Sequence, residues 1–98
     1  MTFTKKQNGS TLEIAVEGRL DTMTSPELES ELKTCLEGVD SLIMNCEKLD
    51  YISSAGLRVL LTAHKAMMDK GGMRLVRVNE IVREVFEVTG FADVLNIE

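Results

Sequence analysis

Few residues in this 98-residue chain could carry chemistry, and their spacing limits them further. Ser54, the only histidine (His64) and Asp21 supply the nominal parts of a nucleophile–base–acid triad. A nucleophile needs its base within about 3 Å. His64 lies ten residues beyond Ser54 in the same helical segment, which is about 15 Å at 1.5 Å per residue. Ser54 and His64 therefore cannot pair, and His64 reads as a part-buried helix residue. Cys35 and Cys46 belong to no CxxC pair or His/Cys cluster, which argues against zinc. A single bridge would be sparse support for a secreted domain, so both read as small core residues. Gly71-Gly72 lacks the lysine and following helix of a phosphate loop and reads as a turn. No catalytic residue, metal or cofactor is expected, and the chain is read as a binding module.

What remains is a hydroxyl at the start of a helix. In Tyr51-Ile52-Ser53-Ser54-Ala55-Gly56-Leu57 a strand gives way to a long helix. Beyond it, Arg58, Thr62, Lys65 and Asp69 recur at helical spacing and mark a solvent face. Four residues back from Arg58 stands Ser54, at the head of that exposed stripe. Four back from Leu57 stands Ser53, at the head of a buried stripe of Leu57, Leu60, Leu61 and His64. One reading makes Ser54 an N-cap. The other makes it a phosphate site, since free N–H groups and the positive end of the helix dipole accept an anion there. Arg58, one turn on, could add a charge-assisted contact.

The elements that must position this segment follow from periodicity. Asn8-Gly9 signals a type I′ hairpin turn between a strand around Phe3 to Lys6 and one in which Leu12, Ile14 and Val16 alternate with polar residues. Gly18-Arg19-Leu20-Asp21 leaves that strand. Thr24 and Ser25 compete as N-cap of the first helix: Ser25 would place Pro26 at the first helical position, and Thr24 would form a capping box with Glu27. Leu28, Leu32, Cys35 and Leu36 form its apolar stripe, Glu27, Glu29 and Glu31 a solvated first turn, and Gly38 its stop. Leu42-Ile43-Met44 suits a parallel strand buried on both faces, followed by a loop from Glu47 to Ile52. The helix after Ser54 is expected to run to near Gly71-Gly72, with Met67 and Met68 closing the core. Met73 to Val78 forms a strand, and Asn79 caps a third helix with Ile81, Val82, Val85 and Phe86 inside and Gly90 at its end. Phe91 to Ile97 is a short strand or extended tail. Strands alternating with helices imply a mainly parallel sheet with right-handed crossovers. Asp21 and Ser54 then follow neighbouring strands at one end of the sheet, where open α/β folds place their ligands, although Asp21 also suits a plain loop or helix entry.

Length predicts one domain, residues 1–98. The net charge of −5 argues against nucleic acid and against an anionic membrane surface. No apolar stretch approaches the ~20 residues needed to span a bilayer, and Met1 to Lys6 lacks a signal-peptide core, so the expected compartment is the cytoplasm.

Tyr51-Ile52-Ser53-Ser54-Ala55-Gly56-Leu57-Arg58-Val59-Leu60-Leu61 resembles the phosphorylation segment of STAS domains in anti-sigma factor antagonists. Gly18-Arg19-Leu20-Asp21 before Ser25-Pro26, Gly71-Gly72 before a strand, and Val85-Phe86 through Thr89-Gly90-Phe91 resemble its other landmarks, in order along nearly the whole chain. The resemblance implies an α/β fold of STAS type: a four- to five-stranded, mostly parallel sheet after an N-terminal hairpin, with helices largely on one face. It assigns the phosphoacceptor to Ser54, with Ser53 as second candidate, and a partner surface of Asp21, Ser53, Ser54, Ala55, Gly56 and Arg58. The family usually has aspartate before the phosphorylated serine and Ser or Thr after it, where this chain has Ser53 and Ala55. It also commonly continues into another C-terminal helix, expected here to be absent or reduced. The implied partners are an anti-sigma factor that is a serine kinase of the histidine-kinase-like ATPase type, and a serine phosphatase. The unphosphorylated protein would bind the kinase and free a sigma factor. The alternatives are a non-phosphorylated STAS scaffold, or a sensor subunit of a transport or stress-signalling complex.

Overall fold

A computed structural model describes residues 1–98. Its elements are β1 (Thr2–Asn8), β2 (Thr11–Leu20), α1 (Ser25–Cys35), β3 (Ser41–Ile52), α2 (Ser54–Met67), β4 (Met73–Val76) and α3 (Glu80–Thr89), then a 3₁₀ turn at Phe91–Asp93. The strands lie in the order β1-β2-β3-β4. β1 is antiparallel to β2, and the other pairs are parallel. Beyond β4 a fifth strand is reduced to one parallel bridge, Leu75 to Ile97, closed by Leu75 N–H donating to Asn96 O and Glu98 N–H to Leu75 O.

Helices pack over one face of the sheet, so the strands alternate. Leu12, Ile14 and Val16 of β2, Leu42, Met44 and Cys46 of β3, and Met73 and Leu75 of β4 are buried. They form one core with Leu28 and Leu32 of α1, Leu57, Leu60, Ala63 and Met67 of α2, and Val82 and Phe86 of α3. Ile43 is only half-buried, which corrects the expectation that Leu42-Ile43-Met44 is buried on both faces: the opposite face of the sheet carries no helix. Cys46 is 1 % exposed, and burial pushes its thiol up to about 12. Cys35 is half-buried at the core's edge.

Other differences have local causes. The hairpin loop is Gly9-Ser10, because Asn8 pairs with Thr11. Gly9 has φ +64° while Ser10 stays at negative φ, so glycine holds the first loop position, as in a type II′ turn and not type I′. The expected loop Glu47 to Ile52 is strand. β3 has one residue more than β2 between the pairs Ala15–Asn45 and Glu17–Lys48, and again between Gly18–Leu49 and Arg19–Tyr51. Each extra residue is a bulge that breaks the two-residue period, so Leu49 and Ile52 are buried three apart. α2 stops at Met67, earlier than expected, and a turn completes the path to Gly72. Met68 and Ile81 are 64 % and 66 % exposed and do not join the core.

α3 is pinned at its start. Asn79 Oδ1 accepts from Val82 N at 2.9 Å, and its Nδ2 donates to Leu49 O at 2.6 Å. The side chain thus caps the helix and ties it to the bulged half of β3. Asn79→Ala removes both bonds, and the cap alone is worth about 0.5–2 kcal/mol. Chemical denaturation should show a loss at or above the upper end of that range. A loss under about half a kcal/mol, below the range for a cap, would mean that water replaces both bonds.

Candidate functional site

β2 and β3 end in register, with Leu20 opposite Ile52 and Ser53 N–H donating to Leu20 O at 2.9 Å. Asp21 and Ser53 therefore leave adjacent parallel strands side by side, which puts Asp21 and Ser54 at one end of the sheet, as the sequence predicts. A helix begins just beyond each strand.

At the start of α2 the cap is Ser53. Its backbone is extended (φ −101°, ψ 177°), and its Oγ accepts from Gly56 N at 3.5 Å. Ser54 is the first helical residue and is exposed. This corrects the reading of Ser54 as an N-cap: the serine that heads the buried stripe turns inward and does the capping, and the neighbouring hydroxyl stays outside. Ala55 is half-buried, and Arg58 is exposed one turn on, with its guanidinium in no ion pair. Gly56 is buried and supports the site from beneath. A Cβ there would stand 2.8 Å from Leu20 Cγ and 2.9 Å from Ile52 Cγ1, so the first turn of α2 rests directly on the ends of β2 and β3.

At the start of α1, Asp21 organises the turn. Its Oδ1 accepts from Met23 N at 3.0 Å and Thr24 N at 3.1 Å, and Arg19 Nε lies 3.7 Å from Oδ2. The Thr24 N–H holds the carboxyl below the usual carboxylate range, with help from the Met23 N–H, the Thr24 hydroxyl and the Arg19 charge, against a smaller opposing effect of desolvation. Thr24 occupies the N-cap position without capping: its hydroxyl donates to Arg19 O at 2.6 Å and accepts from Asp21 N at 2.9 Å. The expected capping box with Glu27 does not form, and Glu27 lies 4.0 Å from the N-terminal ammonium. Ser25, the other expected cap, lies inside the helix, 3 % exposed, and its hydroxyl has no hydrogen-bond partner.

The depressed Asp21 carboxyl has a pH consequence of definite sign. Its contribution to stability is fully present above the unfolded-state value, about 3.9, and is lost as pH falls through the lower folded-state value. Following the side-chain carboxyl by NMR during acid titration should place its midpoint below 3.8, the ordinary value. Asp21→Asn keeps an oxygen acceptor for the turn and should remove this component of acid sensitivity. A midpoint at or above the ordinary value would show that the turn bonds do not persist in solution.

The same end of the molecule contains residues that the sequence did not single out. Arg19 lies with its guanidinium carbon 4.2 Å from the centroid of the Tyr51 ring, the cross-strand neighbour of Arg19, a geometry worth about 0.5–1 kcal/mol at an exposed site. Met23 is 82 % exposed on the turn that Asp21 holds. The loop or helix entry at Asp21 is legible in the sequence, but nothing there tells an exposed methionine from a core one.

The family model described as STAS domain matches residues 2–98. A Bordetella bronchiseptica protein named as an anti-sigma factor antagonist, BtrV, is 34% identical over 84 residues, covering 84% of this chain and 72% of that one. The anti-sigma-B factor antagonist of Bacillus subtilis is 27% identical over 93 residues, covering 94% and 85%. Among solved structures, an anti-sigma factor antagonist from Mycobacterium paratuberculosis superposes with a TM-score of 0.88 at 18% identity, covering 98% of this chain and 83% of that one. Unphosphorylated SpoIIAA, also an anti-sigma factor antagonist, gives 0.82 at 22% identity, covering 99% and 88%. The chain belongs to the STAS domain family, in its group of anti-sigma factor antagonists. Within that fold, no helix is long and apolar enough to cross a membrane.

Proposed function

We propose that this protein is a phospho-switched anti-sigma factor antagonist acting in the cytoplasm. In its unphosphorylated form it binds an anti-sigma factor, a serine kinase of the histidine-kinase-like ATPase type, and so frees a sigma factor. The kinase then phosphorylates Ser54 and ends the interaction, and a serine phosphatase resets the switch. The observation that carries this reading is the division of labour at the start of α2. Ser53 supplies the cap, which leaves the Ser54 hydroxyl exposed and free to react beside the Asp21 turn.

Transfer to Ser54 forms a bond between its Oγ and the γ-phosphorus of ATP, breaks the bond to the ADP leaving group, and releases the hydroxyl proton. The chain's one histidine is too far along α2 to take that proton, so the base belongs to the kinase. This makes the protein a substrate and not a catalyst. Asp21, Ser53, Ser54, Ala55 and Arg58 form the partner surface, with Arg19, Met23 and Tyr51 at its margin. Gly56 contributes by holding α2 down. Among the fold relatives, SpoIIAA has been solved in its phosphorylated form as well, in keeping with modification on an intact fold.

Function can be tested by displacement. Added to a complex of the anti-sigma kinase with its sigma factor, the unphosphorylated protein and Ser54→Ala should both release the sigma factor, and enzymatically phosphorylated protein should not. Equal release by phosphorylated and unphosphorylated protein would contradict the switch and favour a scaffold.

A further inference from the structure

Ala55, next in the chain to Ser54, and Arg58, one helical turn on from Ser54, line a small cleft whose other residues suit the group Ser54 is proposed to carry. The cleft lies between the starts of α1 and α2, has a volume of about 150 Å³, and is lined by Thr22, Ser25, Pro26 and Glu29 on one side and Ala55, Arg58 and Val59 on the other. A water molecule's share of liquid volume is about 30 Å³, so a phosphate group fits. Three features of the lining favour an anion. The first turn of α2 borders it, with backbone N–H groups at the positive end of a dipole, whereas at the start of α1 the Ser25 and Glu27 N–H groups are taken by Asp21 O and Thr24 O and Pro26 has none. Arg58 contributes a guanidinium without an ion-pair partner. Ser25 contributes a hydroxyl that is buried and unpartnered, and a buried polar group of that kind is uncommon enough to need a cause. Glu29 is the opposing charge, and it lies 3.6 Å from Lys33.

We propose that this cleft is the receptor for the phosphate on Ser54, which Arg58 and the Ser25 hydroxyl hold against α1. The inference rests on Ser54 being the modified residue and adds what the modification does: it staples the starts of α1 and α2 together. The phosphate is thereby fixed in one place on the partner surface, with Arg58 withdrawn from contact with the partner.

The test uses protein carrying phosphoserine installed at position 54 during synthesis, so that no kinase is needed and failure of the cleft is separate from failure of the kinase reaction. Titration followed by phosphorus NMR should put the second phosphate ionisation about one pH unit below the ~6 of a free phosphoserine. Arg58→Gln should recover at least half of that shift and Ser25→Ala a smaller part. Thermal melts supply a readout that a purely structural role for Ser25 would not give. Ser25→Ala removes an unpartnered buried hydroxyl, so it should raise the melting temperature of the unphosphorylated protein and lower that of the phosphorylated one. A phosphate ionising as in a free peptide, or unmoved by both substitutions, would overturn the proposal. So would a Ser25→Ala effect of the same sign in both states. Inorganic phosphate added to the unmodified protein should leave the Ser25, Ala55 and Arg58 amide signals in place at millimolar concentration. Saturable shifts there would show a site for free phosphate and overturn the assignment to Ser54.

Discussion

Ser54→Asp should bind the anti-sigma kinase more than a hundredfold more weakly than the wild type and still melt within a few degrees of it. The two halves of this result have separate causes. At the first position of α2 a negative charge meets the positive end of the helix, which favours it by roughly 0.3–1 kcal/mol at an exposed site, so the fold has no reason to fail. At the interface the same charge must be desolvated and brought against the partner, and a penalty of about 3 kcal/mol there exceeds a hundredfold in affinity. A phosphate, with about −1.5 to −2 charges, should act in the same direction and more strongly. The position of the cap sharpens the expectation. Because Ser53 and not Ser54 accepts from Gly56 N, Ser54→Ala should keep both binding and stability. Ser53→Ala should lose about 0.5–2 kcal/mol of stability while leaving Ser54 available to the kinase. Calorimetric titration and thermal melts of the three variants separate these effects. A Ser54→Asp variant that binds as tightly as wild type, or that unfolds, would contradict the interface account.

Gly56→Ala should lower the melting temperature by roughly 5–20 °C, from the cost of overpacking and the size of the domain. The added methyl would meet Leu20 Cγ and Ile52 Cγ1 at 2.8 and 2.9 Å, inside any normal contact. Both side chains are within 2 % of complete burial and are held by the register of β2 and β3, so neither can swing aside. Overpacking of this kind costs about 1–3 kcal/mol, and about 1 kcal/mol shifts the midpoint of a domain this size by about 4–8 °C. Binding should weaken as well, since lifting the first turn of α2 moves Ser54 and Arg58 relative to Asp21. Shortening Leu20 to valine in the same chain should return part of the loss, as positive coupling in a double-mutant cycle. A Gly56→Ala protein that melts with the wild type would show that the helix start floats free of the strand ends.

How much of this the sequence disclosed depends on whether a signal is local. The strand–helix order, the placement of Asp21 and Ser54 at one end of the sheet, the Asn79 cap and the Gly90 stop all rest on periodicity or on single-residue chemistry, and the structure agrees with each. The bulges in β3 do not, because an inserted residue erases the alternation that identifies a strand, and Glu47 to Ile52 looks like a loop until β2 is laid beside it. The cap of α2 moves by one residue, and that of α1 falls on the Thr24 candidate without a side-chain cap bond, for a related reason. Adjacent Thr24-Ser25 and Ser53-Ser54 are equally good cap formers in isolation. Tertiary contacts decide between them: Thr24 is drawn back to Arg19 O, and Ser53 is fixed by its bond to Leu20 O. Exposed apolar residues such as Met23, Met68 and Ile81 are likewise invisible to composition. The cleft between α1 and α2 exists only once two segments distant in the chain are packed together.

The measurement closest to the central claim is phosphopeptide mapping of the intact protein after incubation with its anti-sigma kinase and ATP. The account predicts one phosphate per chain, carried on Ser54 and absent from Ser54→Ala. Phosphate on Ser53 alone, or its undiminished incorporation into Ser54→Ala, would contradict it.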